Sequence, residues 1–205
     1  MASRWFPRGP IRSRQRSGWI FVVLVLVVAL PTLIGAFTPV TRLTAAVVVT
    51  AVVAVTITYL YFVAPTITIA EEAITVDNPW RTHVIPWGAL IDVNTRFHLT
   101  MVTAQGSVHA LAAPSPGGFS AMRAKPDQDA RTGRVQRQGA GAVRPGDLPN
   151  QSSGQLAAVV RGHWQDRVEA GDLDTNEVAT TSPRVANLVV TIGGLVLVAV
   201  LWLLA

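Results

Sequence analysis

Three stretches of the chain carry no charged residue, and they dictate what it can fold into. Trp19–Phe37 is uncharged over 19 residues, a second stretch opens at Leu43 and meets no charge until Glu71, and Val185–Ala205 adds 21 more. A 21-residue helix rises about 31 Å at ~1.5 Å per residue, close to the ~30 Å hydrocarbon core of a bilayer. A charge at the middle of such a helix costs about 2.5–3.5 kcal/mol on insertion, so uninterrupted apolar character is a membrane signal. Helices buried in a soluble core seldom run so long and so apolar. The expected spans are an N-terminal hairpin over 19–37 and 43–65, with Pro65 ending its second helix, and a third helix over 185–205. Arginines ahead of the first stretch also suit a secretory leader. The stretch exceeds the 7 to 15 apolar residues of a leader and ends at Gly35-Ala36-Phe37 without a clear cleavage site, so it reads as an uncleaved helix.

The arginines set the expected orientation. Residues 1–18 form a basic tail holding Arg4, Arg8, Arg12, Arg14 and Arg16 and no acidic residue, whereas the loop between the first two spans has Arg42 alone. The positive-inside bias puts this tail in the cytoplasm, returns the chain there near Pro65, and places the C-terminus at the outer face, with Arg184 marking the inner end of the third span. The same five arginines can attract anionic lipid, at about 1 kcal/mol each near the surface. Nucleic-acid binding is disfavoured, because the tail lies against the membrane and carries no groove-reading motif. The net charge of +5 is therefore a topology signal: residues 66–184 contain eleven basic and twelve acidic side chains.

Between the second and third spans the character changes. Thr66–Ile69 and Ala73–Asp77 alternate polar and apolar residues, as half-buried strands do. Asn78-Pro79-Trp80-Arg81 is a turn, His83–Ile85 resumes a strand that Pro86 interrupts, and Ala89–Val93 follows. A hairpin over 97–104 and 107–112, turning at Gln105-Gly106, would put Phe97, Leu99 and Met101 on one face with Val108 and Ala110. Six short strands predict a small antiparallel barrel or sandwich. Residues 114–151, with five prolines, many glycines and six basic residues, read as a disordered insert. Its Arg131, Arg134 and Arg137 are candidate contacts for an acidic partner or anionic lipid. A helix over 152–170 opens with Ser152 and Gln155 at capping-box spacing, stops at Gly171, and places Leu156, Val160, Trp164 and Val168 four apart as a stripe that covers the sheet.

These segments resemble the bacterial pleckstrin-homology (PH)-like domains of actinobacterial membrane proteins, including the low-molecular-weight-antigen type. The residues that carry the resemblance are Ile74-Thr75-Val76, Val84-Ile85-Pro86-Trp87, Leu99-Thr100-Met101, Gln105-Gly106-Ser107 and the helix from Val160 to Leu173, across 66–113 and 152–173. The Arg-rich, Lys-poor composition accords with such an origin. The resemblance implies a partly open barrel of about seven strands capped by one helix, over residues 66–175. The last strand would lie where the insert begins. Relatives that bind phosphoinositides use a basic cluster in the first hairpin loop; Glu71-Glu72 stand there in this chain and would repel phosphate. Trp87, after Pro86, is expected as a core anchor partnered by Trp164. Trp80 is expected to be exposed and is the candidate contact for a partner or the membrane surface.

No catalytic constellation emerges. The chain has no cysteine, no GxSxG, HExxH or P-loop, and its four histidines are scattered, with His98 and His109 alone sharing a hairpin. No metal, cofactor or small-molecule substrate is indicated, and adjacent Glu71 and Glu72 would point to opposite faces of a strand. The spans contain no ionisable residue of the kind that marks an ion path. Ala46, Thr50, Ala54 and Thr58 recur every four residues on the second span and form a small-residue face suited to close helix packing, within the chain or with another protein. The expected fold class is thus an α+β membrane protein with three spans and a cytoplasmic PH-like domain. Its expected function is non-enzymatic: a binding or scaffolding module at the inner leaflet, contacting membrane lipids and a protein partner. The alternative is an accessory or assembly subunit of a larger membrane complex, recognised through the helices.

Overall fold

The computed structural model describes residues 5–6, 9–37, 41–95, 98–114 and 152–205. In chain order the elements are β1 (Ile11–Arg14), α1 (Gly18–Ala36), α2 (Arg42–Phe62), β2 (Thr66–Ile69), β3 (Ala73–Asp77) and β4 (Arg81–Pro86). After a 3-10 turn at Trp87–Ala89 come β5 (Leu90–Asn94), β6 (His98–Thr103), β7 (Gly106–Pro114), α3 (Ser152–Ala170), β8 (Thr180–Pro183) and α4 (Val185–Leu204).

Helices α1, α2 and α4 are each long and apolar enough to cross a membrane. Thr41 opens α2 with a reciprocal cap in which its own N–H donates to Thr44 Oγ1 at 2.9 Å. At the start of α1, Gly18 meets the Phe62 carbonyl so closely that a Cβ would not fit. Phe21 stacks on Phe62 at 4.2 Å between centroids. The small-residue face of α2 turns inward: Ala46 is fully buried and Thr50 Oγ1 accepts from Trp202 Nε1 of α4 at 3.0 Å, while Gly194 of α4 lies against Val53. Thr50 and Thr58 spend their own hydroxyl hydrogens on the carbonyls of Ala46 and Ala54. The face is therefore engaged at least in part within the chain.

The strands form two antiparallel sheets, β1-β2-β3-β4-β8 and β5-β6-β7. The expected hairpin register holds for Leu99 opposite Ala110 and Met101 opposite Val108, whereas Phe97 lies outside the described residues. Two strands exceed the six expected. β1 lies in the basic tail, and β8 precedes α4. Both are edge strands, and both carry features that discourage further pairing: exposed Arg12 and Arg14 on β1, and Pro183 on β8. Of the barrel or sandwich expected, the strands take the open form and do not close into a barrel. Among the described residues no ladder joins the two sheets, because Pro86 and the 3-10 turn break the pairing between β4 and β5.

The sheets instead share one core. Ile67, Ile69, Ile74, Val76 and Ile85 meet Leu99, Met101 and Ala110 across it, and Leu156, Ala157 and Val160 of α3 close it. Trp87 is fully buried there and donates from Nε1 to the Ala70 carbonyl at 3.1 Å. Its ring partner is His163, edge-on at 4.6 Å, and not Trp164, which is only half-buried. The four-residue stripe on α3 holds at Leu156 and Val160, weakens at half-buried Trp164 and is lost at Val168, for a geometric reason. Each step of four residues turns about 400°, so a strict stripe drifts by ~40° per step and by ~120° over three. Val168 consequently faces solvent, while Ser153, Ala157, Val160 and His163 take the core side. Gly171, at φ +68°, ends the helix as expected.

Candidate membrane-proximal site

Strand pairing fixes where the charged residues lie. Arg14 pairs with Thr66, Thr66 with Asp77, Asp77 with Thr82, and Arg81 with Pro183, so the junctions to α1, α2 and α4 all leave from one end of the five-stranded sheet. Arg14, Arg16, Arg81 and Arg184 gather at that end, and Asp77 is held there by the hydroxyls of Thr66 (3.2 Å) and Thr82 (2.7 Å). The opposite end carries Glu71, Glu72, Asp172, Asp174 and Glu177, with Arg167 bridging to Asp172 at 3.1 Å. The domain is thus electrically polar along its strands.

The β3–β4 turn reaches down between the helices. Asn187 of α4 donates to the Pro79 carbonyl at 2.6 Å, the Arg184 N–H donates to the Trp80 carbonyl at 2.9 Å, and Trp80 Nε1 donates to Thr191 Oγ1 at 3.3 Å. Thr191 stands six residues beyond Val185, about 9 Å along the helix axis. Trp80 is therefore half-buried against the helices, not free in solvent as expected, because its indole N–H and ring both find partners there, the ring 6.0 Å from Tyr61. Trp19, Tyr59, Tyr61, Phe62 and Trp80 make an aromatic belt beside the arginines. This combination is typical of a membrane–water interface. Asn78 clamps the other sheet, donating to the His109 carbonyl at 2.8 Å and accepting from the Leu111 N–H at 3.3 Å.

Beside this turn lies an open groove of about 240 Å³ lined by Tyr61, Asn78, Pro79, Trp80, Arg81, His83 and Leu111. Its lining is mostly apolar, with the Arg81 guanidinium exposed at the wall. His83 is fixed by a 2.9 Å hydrogen bond with Thr181 Oγ1. Partial burial and then the Arg81 charge hold its pKa below the ordinary value. Sequence reasoning marked Trp80 but took Asn78 and Arg81 only as turn residues. The polar Asn-Pro-Trp-Arg run is the one signal that pointed here.

The other expected sites are dispersed. Arg12 is exposed on β1, on the strand face opposite Ile11 and Ser13. Arg4, Arg8, Arg131, Arg134 and Arg137 lie outside the described residues, as does all of 115–151. His98 and His109 are near each other, with ring centroids 6.4 Å apart, and His109 Nδ1 is hydrogen-bonded with Thr100 Oγ1. Among the described residues no group of three or more His, Asp or Glu could hold a metal ion.

A second feature escaped the sequence. Trp5 and Phe6, just ahead of β1, dock on α3: Trp5 Nε1 donates to Asp166 Oδ2 at 2.7 Å, its ring lies on Gly162, and buried Phe6 meets the His163 ring at 4.9 Å. His163 is thereby sandwiched between Phe6 and Trp87. Burial is the main cause that holds its pKa below the usual ~6.5; the Glu71 carbonyl opposes it, and Arg167 adds to it. A histidine with a lowered folded pKa is neutral in the native state, so its contribution is complete above the unfolded value. Stability should therefore hold above about pH 7 and decline as pH falls through ~6.5 towards the folded pKa. Thermal unfolding of the detergent-solubilised chain between pH 5 and 8 reads this. His163→Phe should flatten part of the slope, the remainder coming from His83 and His98, which shift the same way.

Comparison with protein-family models, with curated proteins and with solved structures finds no match to this chain.

Proposed function

We propose that the chain is a non-enzymatic integral membrane protein that presents a PH-like binding or scaffolding domain at the inner leaflet. The observation that carries this reading is the polarity of the domain, with its basic, aromatic-belted end against the three apolar helices and its acidic end turned away. The positive-inside bias then assigns the basic end to the cytoplasmic face. The PH-like assignment draws support from strand order. Seven strands in a four-and-three arrangement precede α3 when β1 is counted first, with the α1–α2 hairpin inserted between the first and second strands. β8 is an addition to that plan. The alternative, recognition by a larger complex through the helices, rested on the small-residue face of α2, and α4 meets that face at Thr50.

The test uses the absence of native cysteine. Glu72→Cys places a thiol at the acidic end, and Ala205→Cys places one beyond α4. With a membrane-impermeant maleimide on intact cells, Ala205→Cys should label at once and Glu72→Cys only after lysis. The reverse pattern would overturn the orientation. For the binding role, cross-linked partners should be recovered with the full chain and with Thr50→Leu, and lost with Trp87→Ala under conditions where limited proteolysis shows that variant's domain unfolded and its helices intact. Equal recovery with Trp87→Ala would reject it.

A further inference from the structure

The groove at the β3–β4 turn has a placement and chemistry that point to a particular ligand. It opens where the sheet meets the helices, between Tyr61 at the end of α2 and the Trp80 ring that reaches Thr191 of α4. Its charged wall is Arg81, and Arg184, held by the Asn78 carbonyl at 3.3 Å, stands behind the same turn. A guanidinium is suited to phosphate, which it can grip through two parallel N–H donors. Asp77, the carboxylate at this end, is turned to two threonine hydroxyls. At about 240 Å³ the groove is smaller than the ~300 Å³ or more of a site enclosing a whole drug-sized ligand. It suits a headgroup whose acyl chains stay in the bilayer alongside the helices. The aromatic and aliphatic lining provides for glycerol and the first methylenes, and Arg81 provides for the phosphodiester.

We propose that this groove seats the phosphodiester headgroup of an anionic phospholipid, with Arg81 on the phosphate and Tyr61, Trp80 and Leu111 on the glycerol. The proposal rests on the reading of the apolar helices as bilayer-embedded. It is separate from the Glu71-Glu72 loop, which lies at the far end of the sheet. A sequence-independent cloud of lipid around the arginines would not depend on one side chain, whereas a seated headgroup does.

The experiment is native mass spectrometry of the full chain in mixed micelles of phosphatidylglycerol and phosphatidylcholine. The chain should retain phosphatidylglycerol over phosphatidylcholine by about tenfold, because both carry the phosphodiester but the choline cation of phosphatidylcholine offsets its charge and is repelled by Arg81. Arg81→Gln should reduce that preference to within about twofold, Arg81→Lys should keep part of it, and Arg167→Gln at the acidic end should leave it unchanged. Arg81 is exposed and in no core contact, so the variant keeps the fold. Equal loss with Arg12→Gln would mean a diffuse field and overturn the site. Retention unchanged by Arg81→Gln would overturn it as well, and so would full displacement by soluble glycerol phosphate, which would mark a site for free phosphate. Because the assay uses purified protein, its failure leaves the cellular labelling result standing, and a reversed labelling pattern leaves this one standing.

Discussion

Trp87→Ala should cost the domain about 3–5 kcal/mol, the range for truncating a large aromatic in a packed core. The ring is fully buried at the point where both sheets and α3 converge, and its N–H satisfies the Ala70 carbonyl at the β2–β3 turn. Truncation would leave a cavity bordered by His163, strip that histidine of one of its two aromatic neighbours, and leave the Ala70 carbonyl without this donor. Because marginal stabilities run about 5–15 kcal/mol, such a loss brings the domain near its unfolding threshold. Limited proteolysis in detergent should show rapid cleavage across residues 66–114 while α1, α2 and α4 stay protected. A variant as resistant as the native chain would contradict this core assignment.

The second large effect concerns the segment ahead of the first helix. Trp5→Ala with Phe6→Ala should destabilise the domain by about 3–5 kcal/mol, since it removes one buried and one half-buried aromatic from α3. Gly162→Ala tests the same contact from the helix side. Its new methyl would occupy the space of the Trp5 ring, so it should loosen the segment even though alanine is the better helix former. Hydrogen exchange at residues 11–14 should rise several-fold in both variants. Arg12→Gln with Arg14→Gln should not raise it, because both side chains face outward from β1. That contrast separates the packing of Trp5 and Phe6 from the surface charge of the tail.

What the sequence revealed and what it concealed divide along physical lines. Spans set by long apolar runs were legible to within one to three residues, and so were strands with clean alternation, such as Thr66–Ile69 and Ala73–Asp77. β1 and β8 were not, because a four-residue edge strand needs only one apolar residue or none: Ile11-Arg12-Ser13-Arg14 reads as charge, and Thr180–Pro183 is exposed throughout. Docking of Trp5 and Phe6 depends on contacts more than 150 residues away in the chain, which no local pattern encodes. The site was half legible. Arg81 and Trp80 stood out as a charged and aromatic turn, but only the pairing of Arg81 with Pro183 brings that turn to the helices.

That pairing bears on how the protein is made. The outer strands of the five-stranded sheet come from residues 11–14 and 180–183, with two apolar helices between β1 and β2 and a third directly after β8. During synthesis, β2 to β7 emerge with neither α3 nor β8 available, so their shared core stays incomplete until nearly the whole chain has been produced. β1 can pair only once the α1–α2 hairpin has brought β2 back beside it. Closure of the α1–α2 hairpin is thus a prerequisite for the β1–β2 ladder. A chain whose hairpin failed to close would leave β1 unpaired and the edge of β2 open, and would expose a half-built core to proteolysis.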